Sequence, residues 1–520
     1  MGLHNMGIKT FAAIDVGSYE LTMKIFEFSG KNSMRELDCI SKHVDLGTDT
    51  YAVGKISNEK MDELCRTLKE FSDIMKAYQV SAYRAYGTSA IRETQNTMIV
   101  QDQIKQRTGI WVDILSNSEQ RFLDYKSVAS KGESFRKIIE GKTAIVDIGG
   151  GSIQLSLFDN DTLVSTQNLR LGVLRIQELL NHLNAKSTQV ENLIDEMATA
   201  QLATYKKLYL KDREIENIII VDDYISPWAV KRGRQAENKS FIHKSEFEGL
   251  MKLLRNQGTM EIAKRMDISE EKVPLVFISA ILTKRIAEVM EADKIWAPGV
   301  TLCDGIAYEY AQQHKMFKEE HDFEKDIIAC AMNISKRYNG SRKRAETLEK
   351  LTATIFDSMK KVHGLGARER LYLRLATILH DCGKYISMRS IGETSYNIIM
   401  ATEIIGLSHA EREIVASIVR YNHSTFAYYN GMKYGGTELD KDSYLVVAKL
   451  TAILRLANSM DRSHKQKLKG VQAVYKDGEL VLTVNTMEDI TLESGFFKAS
   501  TEFFKEVFSV TPILKQKKNF

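Results

Sequence analysis

Residues 143–158 read TAIVDIGGGSIQLSLF, and their grammar decides the fold. An apolar, β-branched run ends at Asp147, passes through three glycines and Ser152, and resumes as a second apolar run. That pattern predicts strand, tight turn, strand. The same grammar stands at residues 11–28, FAAIDVGSYELTMKIFEF, where Asp15 precedes a Gly17–Ser18 turn. Two such hairpins, separated by a domain's length of chain, predict two related α/β lobes.

The intervening residues fit that plan. Apolar positions Met61, Leu64, Leu68, Phe71, Ile74 and Met75 recur at helical spacing between Ser57 and Tyr78. SAYRAYGTSAIRE, 81–93, reads as strand, loop and helix, and WVDILS, 111–116, as a strand feeding a helix that contains Glu119. Beyond the second hairpin a helical pattern runs from about Thr188 to Tyr209. NIIIVDD, 217–223, follows as a buried strand, then a helix over 273–292 and a strand in KIWAPGV, 294–300.

The turns carry the chemistry. A tight turn that points successive N–H groups at one spot makes a nest for an anion. Glycine lets a phosphate approach the backbone closely. An aspartate at the strand end can hold Mg²⁺, which favours oxygen ligands and keeps much of its water. The GTSAIRE loop adds hydroxyls, amides and the charge of Arg92.

Composition bounds the rest. The chain has 520 residues, too many for one core, with 72 basic against 68 acidic residues, too mild an excess to imply nucleic acid. Basic residues cluster at Arg342, Lys343 and Arg344, at Lys465, Lys467 and Lys469, and at Lys515, Lys517 and Lys518. They read as solvated faces or as a track for a polyanion. Five scattered cysteines without a C-x-x-C pair argue for a reducing compartment. MGLHNMGIKT lacks a signal core, and no apolar run reaches the length of a membrane span. The expectation is a cytoplasmic protein. After Ala307 strand signals vanish, and residues from about Phe323 to Asp461 read as successive amphipathic helices. VQAVYKDGELVLTVNT, 471–486, then predicts a hairpin turning at Asp-Gly, with a closing helix around Glu502 to Phe508.

The succession DVGS, GTSAIRE, LSNSEQRFLDY (115–125), DIGGGS and LRLGVLRIQELL (169–180) resembles the exopolyphosphatase / guanosine-pentaphosphate phosphohydrolase family, and the likeness covers nearly the whole chain. It implies an α/β plus all-α chain: two actin-like, ribonuclease-H-like lobes over 1–125 and 126–313, a helical HD-type domain over 314–466, and a small α/β domain over 467–520. It implies Mg²⁺-assisted attack of water on a terminal phosphoanhydride, and a homodimer without nucleic-acid or membrane partners. Asp15 and Asp147 match the family's acidic positions near the metal. Gly17, Ser18, Ser89, Arg92, Gly149, Gly150, Gly151 and Ser152 match its phosphate-binding positions.

Several positions depart from the family pattern. Ungapped alignment puts Gln120 where the family's catalytic glutamate stands, with Glu119 one residue earlier. Gln154 replaces a second glutamate. Glutamine takes no proton from water, and loss of a general base typically costs about 10²- to 10⁴-fold. Either Glu119 serves as base through a one-residue shift, or the protein binds its ligand and hydrolyses poorly. IIIVDDYIS, 218–226, stands in place of a Gly-Gly-Thr loop, and Tyr19 narrows the mouth. In the helical region His380–Asp381 form an HD dyad, but Arg344 falls where a partner histidine belongs and Asn458 where an aspartate belongs. His423 remains. The expectation is a packed helical domain whose dyad caps or bridges helices.

Four functions stay open at this level. The leading one is an exopolyphosphatase acting on inorganic polyphosphate. Hydrolysis of guanosine pentaphosphate in the same cleft follows, then a non-hydrolytic binding protein. A sugar or acetate kinase ranks last, because no Gly-rich adenosine loop is present.

Overall fold

The computed structural model describes residues 9–30, 33–235, 241–317, 321–429, 439–468 and 470–517. The N-terminal stretch read for targeting, and Lys469 and Lys518 of the basic clusters, lie outside the described residues. The chain divides into two compact units, Met1–Phe323 and Glu324–Phe520.

In the first unit, β1 (Lys9–Val16), β2 (Glu20–Phe28) and β3 (Met34–His43) form an antiparallel meander, and β4 (Ala82–Gly87) and β5 (Asp113–Ile114) add parallel strands. The order is β3-β2-β1-β4-β5. Strand β1 is central, and its alternation serves two cores. Ala12, Ile14 and Val16 join the core that holds Leu64, Leu68 and Phe71 of helix Asn58–Ala77. Phe11 and Ala13 join the opposite core, built with Leu123 and Ile306.

The second lobe repeats this plan. β6 (Thr143–Ile148), β7 (Ile153–Asp159) and β8 (Thr162–Leu169) form the meander, β9 (Asn217–Val221) and β11 (Lys294–Trp296) the parallel strands. The order is β10-β11-β9-β6-β7-β8, with β10 (Phe241–His243) an added antiparallel edge. Leaving out that edge, the two strand orders are identical. The duplication expected from the paired turns is therefore a duplication of topology.

The lobe boundary at 313 needs correction. Helix Leu302–Gln313 returns to the first lobe and packs on β1 and β2. A Cβ on Gly305 would lie 2.0 Å from the Leu123 carbonyl oxygen, so this helix meets helix Asn117–Ala129 at backbone distance. Lys24 of β2 pins it through a buried 2.9 Å ion pair to Asp304. Segmentation along the chain groups neighbours in sequence and misses such a return.

The second unit packs helices Arg342–Ser358, Ala367–Leu379, Ile391–Ala401, His409–His423 and Lys441–Ser459. Three strands follow, β12 (Gln472–Lys476), β13 (Glu479–Asn485) and β14 (Thr511–Lys517), in the order β12-β13-β14. The expected hairpin is β12–β13. The closing helix is longer than expected, Thr491–Phe508, and β14 pairs parallel to β13 as an unexpected edge strand. TPILKQK hides its strand character behind a proline and two lysines, which an edge strand tolerates. Lys515 and Lys517 are exposed there, whereas Arg344 points into the helical core. The 342–344 cluster is not one basic face.

Candidate functional site

The two strand-end turns converge. Gly17, Ser18, Gly149 and Gly150 line one cavity of about 80 Å³, together with Thr88, Ser89, Gln120, Asp124, Asp223 and Lys272. A Cβ on Gly150 would sit 3.0 Å from the Ser18 Cβ, and one on Gly151 would sit 2.5 Å from the Tyr51 hydroxyl. These glycines serve close approach. The amides of Ser18, Gly150 and Gly151 have no main-chain partner among the described residues. They are donors held ready for an anion.

Beneath the turns lies a concentration of carboxyl groups. Asp124 and Asp147 are buried, Asp15 is half-buried and Asp223 is exposed at the cavity mouth, and Asp15 Oδ1, Asp124 Oδ2 and Asp147 Oδ2 are each buried without a hydrogen-bond partner among the described residues. Burial, then the charges of Asp223 and Asp147, raises Asp15 well above the usual carboxylate range. Burial and the neighbouring Asp147 do the same to Asp124. Asp147 is pushed up to about 7 by burial, against a hydrogen bond with Asp124. Asp223, at the mouth, is pushed up to about 6 by partial loss of water around its carboxyl, with Lys272 opposing. The Asp124 and Asp147 carboxyls therefore share a proton near neutrality unless a cation replaces it.

A divalent cation fits this donor set. The orphaned oxygens are hard ligands in a site that repels a further negative charge. Among the described residues they do not close into a cage of three His, Cys, Asp or Glu ligands.

Of the residues singled out from sequence, Asp15, Gly17, Ser18, Ser89, Gln120, Asp147, Gly149 and Gly150 line the cavity. Glu119 does not. It closes a capping box with Ser116: the Ser116 amide donates to Glu119 Oε2 at 2.9 Å, and the Glu119 amide donates to Ser116 Oγ at 3.2 Å. The shifted-base expectation is thus overturned by the helix start, which aims Gln120 inward. Arg92 stands behind the wall, donating to Leu115 O at 2.7 Å, Ser89 Oγ at 3.1 Å and Gln120 Oε1 at 3.3 Å. Gly151 and Ser152 lie beside the cavity, Ser152 Oγ accepting from Asn168. Gln154 turns away and accepts from buried Arg121 at 3.1 Å.

Sequence reasoning missed Asp124, Asp223 and Lys272. Asp124 follows Gln120 by four residues, the spacing that shares a helix face. Asp222 and Asp223 end β9, as Asp15 and Asp147 end their strands. Asp222 accepts from the Ile225 and Ser226 amides at 2.9 and 2.7 Å and starts helix Ser226–Gln235. The glycine-free segment is therefore a capped strand end that turns Asp223 to the cavity.

In the helical unit the dyad is held by protein partners. His380 Nδ1–H donates to Thr377 O, 2.8 Å away, and His423 Nε2–H donates to His380 O at 2.7 Å. The Arg344 guanidinium sits 3.5 Å from both Asp381 Oδ2 and Asp461 Oδ2, and donates to Asn458 Oδ1 at 2.6 Å. A fixed organic cation thus fills the middle of the cluster. Burial pushes His380 down to about 3, so the ring is neutral.

Known proteins resemble this chain in sequence and in fold. Residues 27–314 match the model of the Ppx/GppA phosphatase family, and residues 328–495 match its domain III. A guanosine-5'-triphosphate,3'-diphosphate pyrophosphatase of Vibrio atlanticus is 23% identical over 431 residues, covering 79% of this chain and 80% of the relative. One of the same name from Aeromonas salmonicida is 20% identical over 432 residues, covering 80% and 81%. The crystal structure of the Aquifex aeolicus Ppx/GppA family member superposes with a TM-score of 0.50 at 17% identity, over 59% of this chain and 99% of that one. That likeness concerns the fold alone. The chain belongs to the Ppx/GppA phosphatase family.

Proposed function

We propose that the cavity takes the terminal phosphoryl group of inorganic polyphosphate and transfers it to water. One observation carries the reading: two glycine turns, one from each lobe, bring unpartnered amides to a cavity sized for a single phosphoryl group and its water. At about 80 Å³ it is far below the several hundred Å³ of a nucleotide pocket. Only the end of a chain enters, and the remainder lies outside.

In this reading the amides of Ser18, Gly150 and Gly151 hold the oxygens of the transferred group, with the Ser18 and Ser89 hydroxyls beside them. Phosphoryl transfer needs mainly positioning and charge stabilisation, which these fixed dipoles supply. Asp15 and Asp147 would hold Mg²⁺, which supplies charge neutralisation at the bridging and terminal oxygens when bound. Lys272, anchored to Glu20 at 3.0 Å, adds positive charge at the rim. We extend the reading to an HD-type helical domain without metal chemistry, and to a cytoplasmic homodimer without nucleic-acid or membrane partners. Light scattering tests the dimer.

The names of the curated relatives favour guanosine pentaphosphate as a second substrate, since the same cavity would accept its terminal phosphate. Phosphate release with Mg²⁺, measured on both substrates for wild type and Gly150→Val, tests the proposal. The expected result is release by wild type and at least a hundredfold loss in the variant. Wild type that binds both substrates and releases no phosphate refutes hydrolysis.

A further inference from the structure

Helix Val173–His182, in the LRLGVLRIQELL segment, starts directly against the second glycine turn: a Cβ on Gly172 would lie 2.1 Å from the Gly150 carbonyl oxygen. The first amides of a helix have no partner within it. Here they go to the turn. Val173 N–H donates to Gly149 O at 3.1 Å, and Leu174 and Arg175 N–H share Gly150 O at 3.0 and 3.2 Å. The Ile176 amide already returns to Gly172 O at 2.9 Å, so among the described residues no amide of this helix start is left for the third carbonyl, Gly151 O. The Arg175 side chain supplies that donor, its Nε–H lying 2.9 Å from Gly151 O. The far end of the same guanidinium crosses to the first lobe. Its Nη2 donates to Glu93 Oε2 at 2.6 Å, and its central carbon lies 4.7 Å from the centre of the Tyr51 ring. The Tyr51 hydroxyl is in turn 2.9 Å from Ser18 Oγ. One side chain thus touches the second turn directly and the first through Tyr51.

We propose that Arg175 is a positioning residue for phosphate binding: by holding the Gly151 carbonyl it fixes the direction of the Ser152 amide and completes the nest. The inference rests on the phosphohydrolase reading above. A trans peptide carries its C=O and the N–H that follows on opposite sides. The three held carbonyls face helix Val173–His182, so the amides of Gly150, Gly151 and Ser152 face away from it. Successive N–H groups aimed one way make a nest for an anion. Glycine offers little resistance to a turned-over peptide. Without the Nε–H, the peptide between Gly151 and Ser152 is free to invert and set a carbonyl oxygen where phosphoryl oxygens need a donor. That loss weighs most in the transition state, where fixed dipoles meet developing charge.

Glutamine and methionine both match the arginine side chain in length as far as Nε, but only glutamine carries an N–H there. The side chain is 24% exposed, so neither substitution opens a core cavity. The test compares Arg175→Gln with Arg175→Met in the full chain with Mg²⁺, reading orthophosphate affinity by calorimetry and kcat by phosphate release from polyphosphate. Arg175→Met should lower kcat by about 10²-fold, the lower end for losing one preorganised donor to a developing anion. It should weaken orthophosphate binding by about tenfold, as the loss of a hydrogen bond to a charged group does. Arg175→Gln should stand about tenfold or more above Arg175→Met in kcat, and bind orthophosphate within about threefold of wild type. Glu93→Gln breaks the surface ion pair and leaves the Nε–H in place, so both readings should stay within about threefold of wild type. Equal losses in Arg175→Gln and Arg175→Met would assign the side chain to packing and overturn the inference. So would a loss in Glu93→Gln equal to that in Arg175→Met, or an Arg175→Met variant unchanged in both readings. Wild type that binds orthophosphate and releases none from either substrate removes the hydrolase reading instead, and the ranking of orthophosphate affinities then decides the role of Arg175 by itself.

Discussion

Replacing Arg344 by alanine should unfold the helical unit well before the α/β unit. The side chain is 4% exposed, and its guanidinium stands between two carboxylates whose own side chains are 11% and 2% exposed. Removing it leaves Asp381 with Lys384, 3.2 Å away, and Asp461 with the Gln466 amide at 2.8 Å. Asn458 loses its 2.6 Å donor as well. Breaking a buried charge cluster by deleting one partner typically costs about 3–5 kcal/mol. Contacts of 3.5 Å are loose, and Lys384 compensates in part, so the lower end, about 3 kcal/mol, is expected. For a unit of this length each kcal/mol moves the midpoint by about 2–4 °C, which gives a fall of about 6–12 °C. Differential scanning calorimetry of the full chain reads it, with the transition of the α/β unit as internal reference. A fall below about 2 °C would mean that the guanidinium is not the cation of this cluster.

The two units should answer acid in opposite ways. Asp147 has its folded pKa raised to about 7, so its stabilisation is complete below the ordinary carboxylate range and lost as pH rises through about 7. His380 has its folded pKa lowered to about 3 from 6.5, so its stabilisation is complete above 6.5 and lost as pH falls towards 3. Chemical denaturation of the metal-free chain at pH 5 and pH 7.5 should show the α/β unit favoured by the first and the helical unit by the second. Binding of Mg²⁺ must displace the proton shared by Asp124 and Asp147. Calorimetry in two buffers of different ionisation enthalpy should therefore show proton release below about pH 7. Gly172→Ala places a Cβ 2.1 Å from the Gly150 carbonyl oxygen, a backbone atom that cannot step aside. Urea denaturation should show a loss at or above the upper end of about 1–3 kcal/mol, and phosphate release should fall with it.

The strand-Asp-glycine turns were legible in the sequence because a hairpin is local: its strands, turn and end carboxylate lie within twenty consecutive residues. Their repetition announced two alike lobes, and the order of β3-β2-β1-β4-β5 recurs in the second lobe with one added edge. The run of helices after Ala307 was legible for the same reason, since period and length are properties of a window. What was not legible depended on rotation and return. One residue of helix phase turns a side chain by about 100°, so Glu119 and Gln120 could not be told apart until the Ser116 cap set the phase. Asp124 looked like any acid on a solvated helix face, and only the arrival of β6 with Asp147 made that face an interior. Arg344 looked like surface charge in a basic run, and became a buried cation because Asp381 and Asp461 come to it from distant helices. Local elements follow from nearest-neighbour chemistry, whereas the burial of a charge is settled by partners that the chain supplies from far away.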